Sequence, residues 1–364
     1  MSGHDRHDGR PWMVIREGPR TRWGGELTRR MLFAELAHRT DATVVEGWSS
    51  RSFVAVARGP RWRSVLPFRR RLRLASSEQL PEGMIETARR FTDPVAVAIY
   101  DDAVAQLDAL GISLEPDRLA AIRRRKAGNE ALFRWYVVPT ASFADLAGLD
   151  RAKVIVGGNG TDVRHIQPGP WPSVPSVGLV SGAAPGRGIE ALTVAARLVR
   201  ESIPELRLLL WLVATSAESQ AYLDRLAANV AGDEWVEIRS APYETLGAEL
   251  ARATVLCIAH PAGPYMDVAL PVKLFDSMAA GRPLLVTPRL ETRAVIDAHG
   301  AGLVTAGDGP EELAAGLRRL LEDEALARRL GEAARHAAET AFDWPIVGGR
   351  IADEILRREG APAR

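Results

Sequence analysis

With 364 residues, 46% of them hydrophobic and 26% charged, the chain has the length for two soluble domains that each bury a core. Its formal charge is +1 and its one cysteine, Cys257, excludes an intramolecular disulfide. No run of apolar residues is long enough to span a bilayer, and the polar opening MSGHDRHDGRP lacks the apolar core of a secretory signal.

The charge is unevenly divided. Residues 1–165 carry a net +7 and residues 166–364 a net −6, which predicts two modules with different surfaces, the first facing something anionic. Cys257 lies in the apolar run Thr254–Ala259, where a small hydrophobe in a buried strand is the expected role. A reducing, cytoplasmic compartment fits that usage.

In chain order, Trp12–Ile15 reads as a strand, followed by a loop holding Gly24-Gly25 and a helix over Glu26–His38. Ala42–Val45, Val95–Tyr100, Trp135–Pro139 and Lys153–Val156 read as further strands, whereas residues 51–92 show no clear pattern. Four prolines between Pro168 and Pro175 can continue neither a helix nor a central strand, so residues 167–175 form a linker. It separates a first domain, 1–166, from a second, 176–343.

Beyond the linker the alternation is regular. Val177–Ser181, Leu206–Val213, Trp235–Arg239, Val255–Ala259, Leu284–Thr287 and Leu303–Thr305 read as strands, with helices between them. Strands apolar throughout, alternating with amphipathic helices, predict a parallel sheet covered on both faces and right-handed crossovers. A last helix, Trp344–Arg358, follows the second domain and is expected to pack back on the first. Two doubly wound α/β domains leave a cleft at the carboxyl ends of their strands, where such sheets bind ligands.

Pro271–Pro283 (PVKLFDSMAAGRP) carries the most chemistry. Proline opens a helix and Gly281 closes it. Leu274, Phe275 and Met278 form its apolar face, and Lys273 and Asp276 share another side. Those two are either a surface ion pair or a site in which the carboxylate accepts ribose hydroxyls and the ammonium meets a phosphate.

This segment resembles the donor-binding helix of the family 4 retaining glycosyltransferases (glycosyl transferases group 1), which have the GT-B fold of two facing Rossmann-like domains. The resemblance places Asp276 on the second acid of that family's paired motif, the one that binds the donor ribose. The first acid falls on Val268, with Asp267 adjacent to it. Gly158-Asn159-Gly160-Thr161-Asp162 resembles the Asn-Gly-Val-Asp signature before the linker; alone it reads as an Asn-Gly turn. Ser181–Ile189 (SGAAPGRGI) resembles the glycine-rich opening of the donor domain, with Arg187 in the place of its lysine and Gly182 in the place of its arginine.

The implied activity is transfer of a sugar from a nucleotide-diphosphate donor to a hydroxyl acceptor, without metal or other cofactor. Lys273, Arg187 and the backbone amides near Gly263 would stabilise the departing diphosphate. Gly24 and Gly25 resemble the mobile loop over donor and acceptor, or form an ordinary strand-to-helix turn. Asp101 and Asp102 follow a strand near where relatives keep a pocket histidine. Asp101 is the candidate to act on the acceptor hydroxyl, and a helix cap is the alternative. Arg239 and Tyr243, with Pro242, stand where the family places the nucleobase; a core tyrosine is the alternative. The arginine-rich stretch Arg58–Arg73 suits anionic lipid headgroups, a phosphorylated acceptor or plain solvation, and no nucleic-acid reader motif accompanies it.

The other class of function consistent with these departures is a GT-B-shaped scaffold that binds a sugar nucleotide or a partner protein without turnover. A nicotinamide-dependent oxidoreductase requires a spaced glycine fingerprint with an acid about 20 residues on, and neither half has it.

Overall fold

The computed structural model describes residues 12–16, 32–39, 42–46, 70–76, 85, 89, 92–100, 102–109 and 113–360. Gly24, Gly25 and Asp101 lie outside these residues, as do residues 58–69 of the arginine-rich stretch.

Two parallel sheets organise the chain. The first contains β1 (Trp12–Arg16), β2 (Thr43–Glu46), β3 (Arg70–Ser76), β4 (Thr92–Pro94), β5 (Ala96–Ala98), β6 (Trp135–Val138) and β7 (Val154–Val156). Their order is β2-β1-β3-β5-β6-β7, with β4 paired to the start of β3. The end of the arginine-rich stretch is therefore not a loop: Arg70, Arg71 and Arg73 lie in β3, paired to β1 on one side and to β4 and β5 on the other.

The second sheet comprises β8 (Ser176–Gly182), β9 (Arg207–Val213), β10 (Val236–Arg239), β11 (Val255–Ile258), β12 (Leu284–Val286) and β13 (Gly302–Val304), in the order β10-β9-β8-β11-β12-β13. The chain winds outward from β8 to β10, then restarts beside β8 and winds the other way. The switch between β8 and β11 opens a crevice off their carboxyl ends. Residues 208–212 of β9 and all of β11 are almost fully buried because helices cover both faces. Gly178 is needed in β8 because a Cβ there would lie 2.5 Å from the ring of Trp211. Cys257 is a buried thiol of β11, and burial pushes its pKa up.

The linker and the segment before it are fastened to the second sheet's side. Arg335 donates to the carbonyls of Ile166 (2.8 Å), Ala279 (2.7 Å) and Val163 (3.1 Å). Arg282 donates to Pro170 (2.6 Å) and Ala251 (2.7 Å), and Trp171 lies under the guanidinium groups of Arg282 and Arg328.

Two pieces of the later chain belong to the first core. The helix Trp344–Arg358 buries Trp344, Val347, Ile351 and Ile355 against residues 32–36 and the first sheet. Each such side chain contributes about 1.5–3 kcal/mol, which makes this a strong attachment. The five-residue helix Pro264–Val268 buries Tyr265, Met266 and Val268 among Val97, Phe133 and Phe143. Helices at Ala103–Ala109, Pro116–Leu132 and Ala141–Leu146 complete this half; the first is the one implied by the helix-cap reading of Asp101 and Asp102, and the other two were not expected from the sequence.

Where the chain crosses back to the first domain, Thr161 and Asp343 form an isolated bridge: the Thr161 amide donates to Phe342 and the Trp344 amide to Thr161, each at 2.9 Å. No helix among the described residues is long and apolar enough to cross a membrane.

Candidate active site

The helix Val272–Ala279 begins off the crevice between β8 and β11. Pro271 caps it, its apolar side chains Leu274, Phe275 and Met278 are fully buried, and Gly281 leaves it at φ 67°. That anchoring directs Lys273 toward β8, where Nζ donates to Ser181 Oγ at 3.4 Å. Burial, with the Arg187 charge adding, pushes the Lys273 ammonium down to about 7.

Arg187 arrives on the loop that joins β8 to the helix Ile189–Arg200. Gly188 makes the approach possible. Its φ is +74°, and a Cβ there would sit 1.7 Å from the carbonyl oxygen of Ala259, just past β11. The loop thus rests directly on the end of β11. Gly188→Ala combines a left-handed backbone with a backbone collision, and is expected to cost about 2–5 kcal/mol. A urea midpoint unchanged from that of the unsubstituted protein would refute this account.

Two residues that the sequence reading did not single out complete the cluster. His260 follows β11 and is 1% exposed; Arg289 follows β12 and is 7% exposed. Arg289 Nη1 pairs with Asp267 Oδ1 at 2.9 Å, and Nη2 lies 3.7 Å from Asp308. His260 is held neutral, well below its ordinary pKa, by burial and then by the charges of Lys273, Arg187 and Arg289. Their signal in the sequence was position: each is among the first residues after a wholly buried strand, at the sheet end where ligands bind. Cationic side chains and a neutral imidazole converge at a topological switch point and the start of a 12-residue helix, an arrangement with the chemistry to hold an anion.

Asp276 lies one turn beyond Lys273 and is 3% exposed. Its Oδ1 accepts a hydrogen bond from Thr161 Oγ1 at 2.8 Å, across the two halves of the chain. Burial raises its carboxyl to about 7, against the Thr161 hydrogen bond and with help from the Asp162 charge. Asn159 ties the same segment down by donating to the Leu270 carbonyl at 2.6 Å.

The remaining candidates separate from this group. Asp267 is engaged by Arg289, and Val268 faces the first domain's core. Gly263 caps only the five-residue helix, and the neighbouring Ala262 amide donates to Asp308. Arg239 ends the edge strand β10 and pairs with Glu237 (2.7 Å) and Glu249 (3.3 Å). Tyr243 stacks on His165 at 4.5 Å, its hydroxyl buried. Burial and the nearby Asp276 and Asp162 charges push that phenol up. One face of its ring is therefore already covered.

Asp102 is a helix cap. Its Oδ1 accepts from the amides of Val104 (3.1 Å) and Ala105 (3.0 Å), and Lys126 lies 2.6 Å from Oδ2. Burial opposes its charge, but Lys126 and the two amides outweigh it and hold the carboxyl below its ordinary value.

Residues 174–323 match the family model described as glycosyl transferases group 1. A 178-residue stretch, 48% of this chain, is 32% identical to the MMP alpha-(1->4)-mannosyltransferase of Mycolicibacterium hassiacum and spans 41% of that enzyme's length. Among solved structures, Anabaena HepE in complex with UDP-glucose superposes with a TM-score of 0.68 at 14% identity, over 95% of this chain and 99% of that one. A sucrose-phosphate synthase from Thermosynechococcus elongatus gives 0.63 at 14%, covering 96% and 99%. A glycosyltransferase from Rickettsia africae gives 0.60 at 14%, covering 95% and 99%. The chain has the GT-B fold, and its residues 174–323 are similar to the glycosyl transferases group 1 family.

Proposed function

We propose that this chain is a retaining glycosyltransferase that moves a sugar from a nucleotide-diphosphate donor to a hydroxyl acceptor. The observation that carries this is the convergence of Lys273, Arg187, His260 and Arg289 at the β8/β11 switch. Cleavage of a sugar–phosphate bond places new negative charge on the leaving diphosphate, and preorganised cations in a half-buried site lower that barrier without reorganising. Asp276, one helical turn away, accepts the ribose hydroxyls. The acceptor approaches the face from which the diphosphate leaves, so the leaving oxygen takes the acceptor proton and no covalent nucleophile is assigned. The mannosyltransferase relative and the UDP-glucose complex of HepE support a sugar-nucleotide donor.

Calorimetry against UDP, GDP, ADP and their sugars tests the donor site. One nucleoside diphosphate is expected to bind, and failure of all three would sink the assignment. A second reading has an observation of its own. Asp267 is committed to Arg289 and Val268 to the first core, so no carboxylate at that position is left for the donor sugar. A scaffold that binds the nucleotide without turnover would show affinity but neither donor hydrolysis nor transfer.

A further inference from the structure

His260 has its carbonyl fixed by Thr287 Oγ1 at 2.6 Å, but its ring is left over. Neither Nδ1 nor Nε2 has a hydrogen-bond partner among the described residues, although the side chain is 99% buried by its 1% exposure. Native interiors leave few such groups, and an unpaired one marks a place where something else binds. The charges that face the ring come from three elements: Lys273 of the helix Val272–Ala279, Arg187 of the loop after β8, and Arg289 at the end of β12. All are positive. The nearby acids Asp267 and Asp308 are turned to Arg289.

The ring is kept neutral first by its burial and then by the three positive charges. A bound anion opposes both causes, because it offsets the positive charges and gives the unpaired ring the acceptor that burial denies it. Resting on the donor-site reading above, we propose that His260 donates a hydrogen bond to the bound phosphate and takes a proton from solvent as the anion binds, returning it when the diphosphate leaves. No covalent bond changes in this step; the proton passes between water and the ring. Affinity for diphosphate then falls as pH rises through neutrality, by up to about tenfold per pH unit for each proton taken up.

Lys273 titrates near neutrality too, at about 7. A count of protons taken up by the whole protein therefore does not identify the histidine, and the imidazole has to be observed directly. The experiment uses the full chain with 15N-labelled histidine and inorganic pyrophosphate as the probe, the His260 signal being assigned by its loss in His260→Gln. The expected result is a neutral ring at pH 6.5 in the free protein and an imidazolium at the same pH with saturating pyrophosphate. His260→Gln, which keeps a donor but cannot titrate, is expected to bind pyrophosphate at least about tenfold more weakly and with a shallower pH dependence. If that variant does not fold, the free protein's most acid-resistant neutral histidine serves as the assignment. A ring unchanged while calorimetry shows pyrophosphate bound overturns the role of His260 and leaves the donor site standing. Absence of binding by pyrophosphate and by all three nucleoside diphosphates overturns both.

Discussion

Lys273→Ala is expected to lower donor turnover by about a hundred- to a thousand-fold, the cost of removing one preorganised donor from a developing oxyanion. The size follows from where the ammonium sits. It is clamped by a helix whose apolar face is fully buried, it reaches Ser181, and it shares the site with Arg187. Such a charge needs no reorganisation when the leaving group forms. Its ionisation adds a signature. With the ammonium at about 7, the charged form predominates below neutrality and is lost as pH rises past it, so donor affinity should decline on the alkaline side. Lys273→Arg keeps the charge at all accessible pH and should remove the lysine's share of that decline, leaving the share carried by His260, though its fork cannot reproduce the geometry and turnover stays reduced.

Unfolding does not offer an escape from this prediction. A lysine whose folded pKa is depressed below its unfolded value destabilises the fold at pH below about 7, and the penalty fades as pH rises toward the ordinary value of 10.5. Lys273→Met should therefore melt no lower than the unsubstituted protein at pH 6.5 while losing donor binding. Turnover within threefold of the unsubstituted protein in both Lys273→Ala and Lys273→Met would remove this residue from the site.

The sheet around this lysine was legible because its strands are apolar on both faces, a pattern that only a covered parallel sheet explains. Val255–Ile258 and Leu284–Val286 are buried end to end, as that pattern requires. What escaped reading lacked a local signal. The helix Pro116–Leu132 has Asn129 as its one buried residue, so its arginine-rich sequence shows no apolar stripe. Pro264–Val268 is too short to show a period, and its apolar side chains make sense only against Phe133 and Phe143 of the other half. His260 and Arg289 carry no motif; their role comes from which strand ends the topology brings together. The resemblance sets Tyr243 where the family places the nucleobase, and its stacking on His165, 78 residues away in sequence, had no local signal.

Asp276→Asn is expected to stabilise the protein and to weaken donor binding at the same time. The carboxyl has a folded pKa of about 7 against an ordinary 3.8. Each tenfold change in proton affinity is about 1.4 kcal/mol, so ionising this group in place costs on the order of 4 kcal/mol as an upper figure. The sign is that of a raised pKa: the protonated acid supports the fold fully below about pH 4, and that support is lost as pH climbs to 7. An amide cannot ionise and still offers Oδ1 to the Thr161 hydroxyl, so the variant should gain on the unsubstituted protein at pH 8 and lose the advantage near pH 5. Donor affinity should move the other way. A carboxylate takes charge-assisted hydrogen bonds from two ribose hydroxyls, each worth about 1.5–3 kcal/mol, and the amide keeps one acceptor, which predicts roughly ten- to a hundredfold weaker binding. Melting curves at the two pH values, with calorimetry on the same samples, separate these effects. A variant less stable at pH 8 would mean that a partner stabilises the ionised carboxylate, so that its burial carries no such cost, and unchanged donor affinity would mean that Asp276 fastens the crossing segment at Thr161 and does nothing for the ribose. Stability gained together with affinity lost is the outcome that marks an acid kept buried for its ligand.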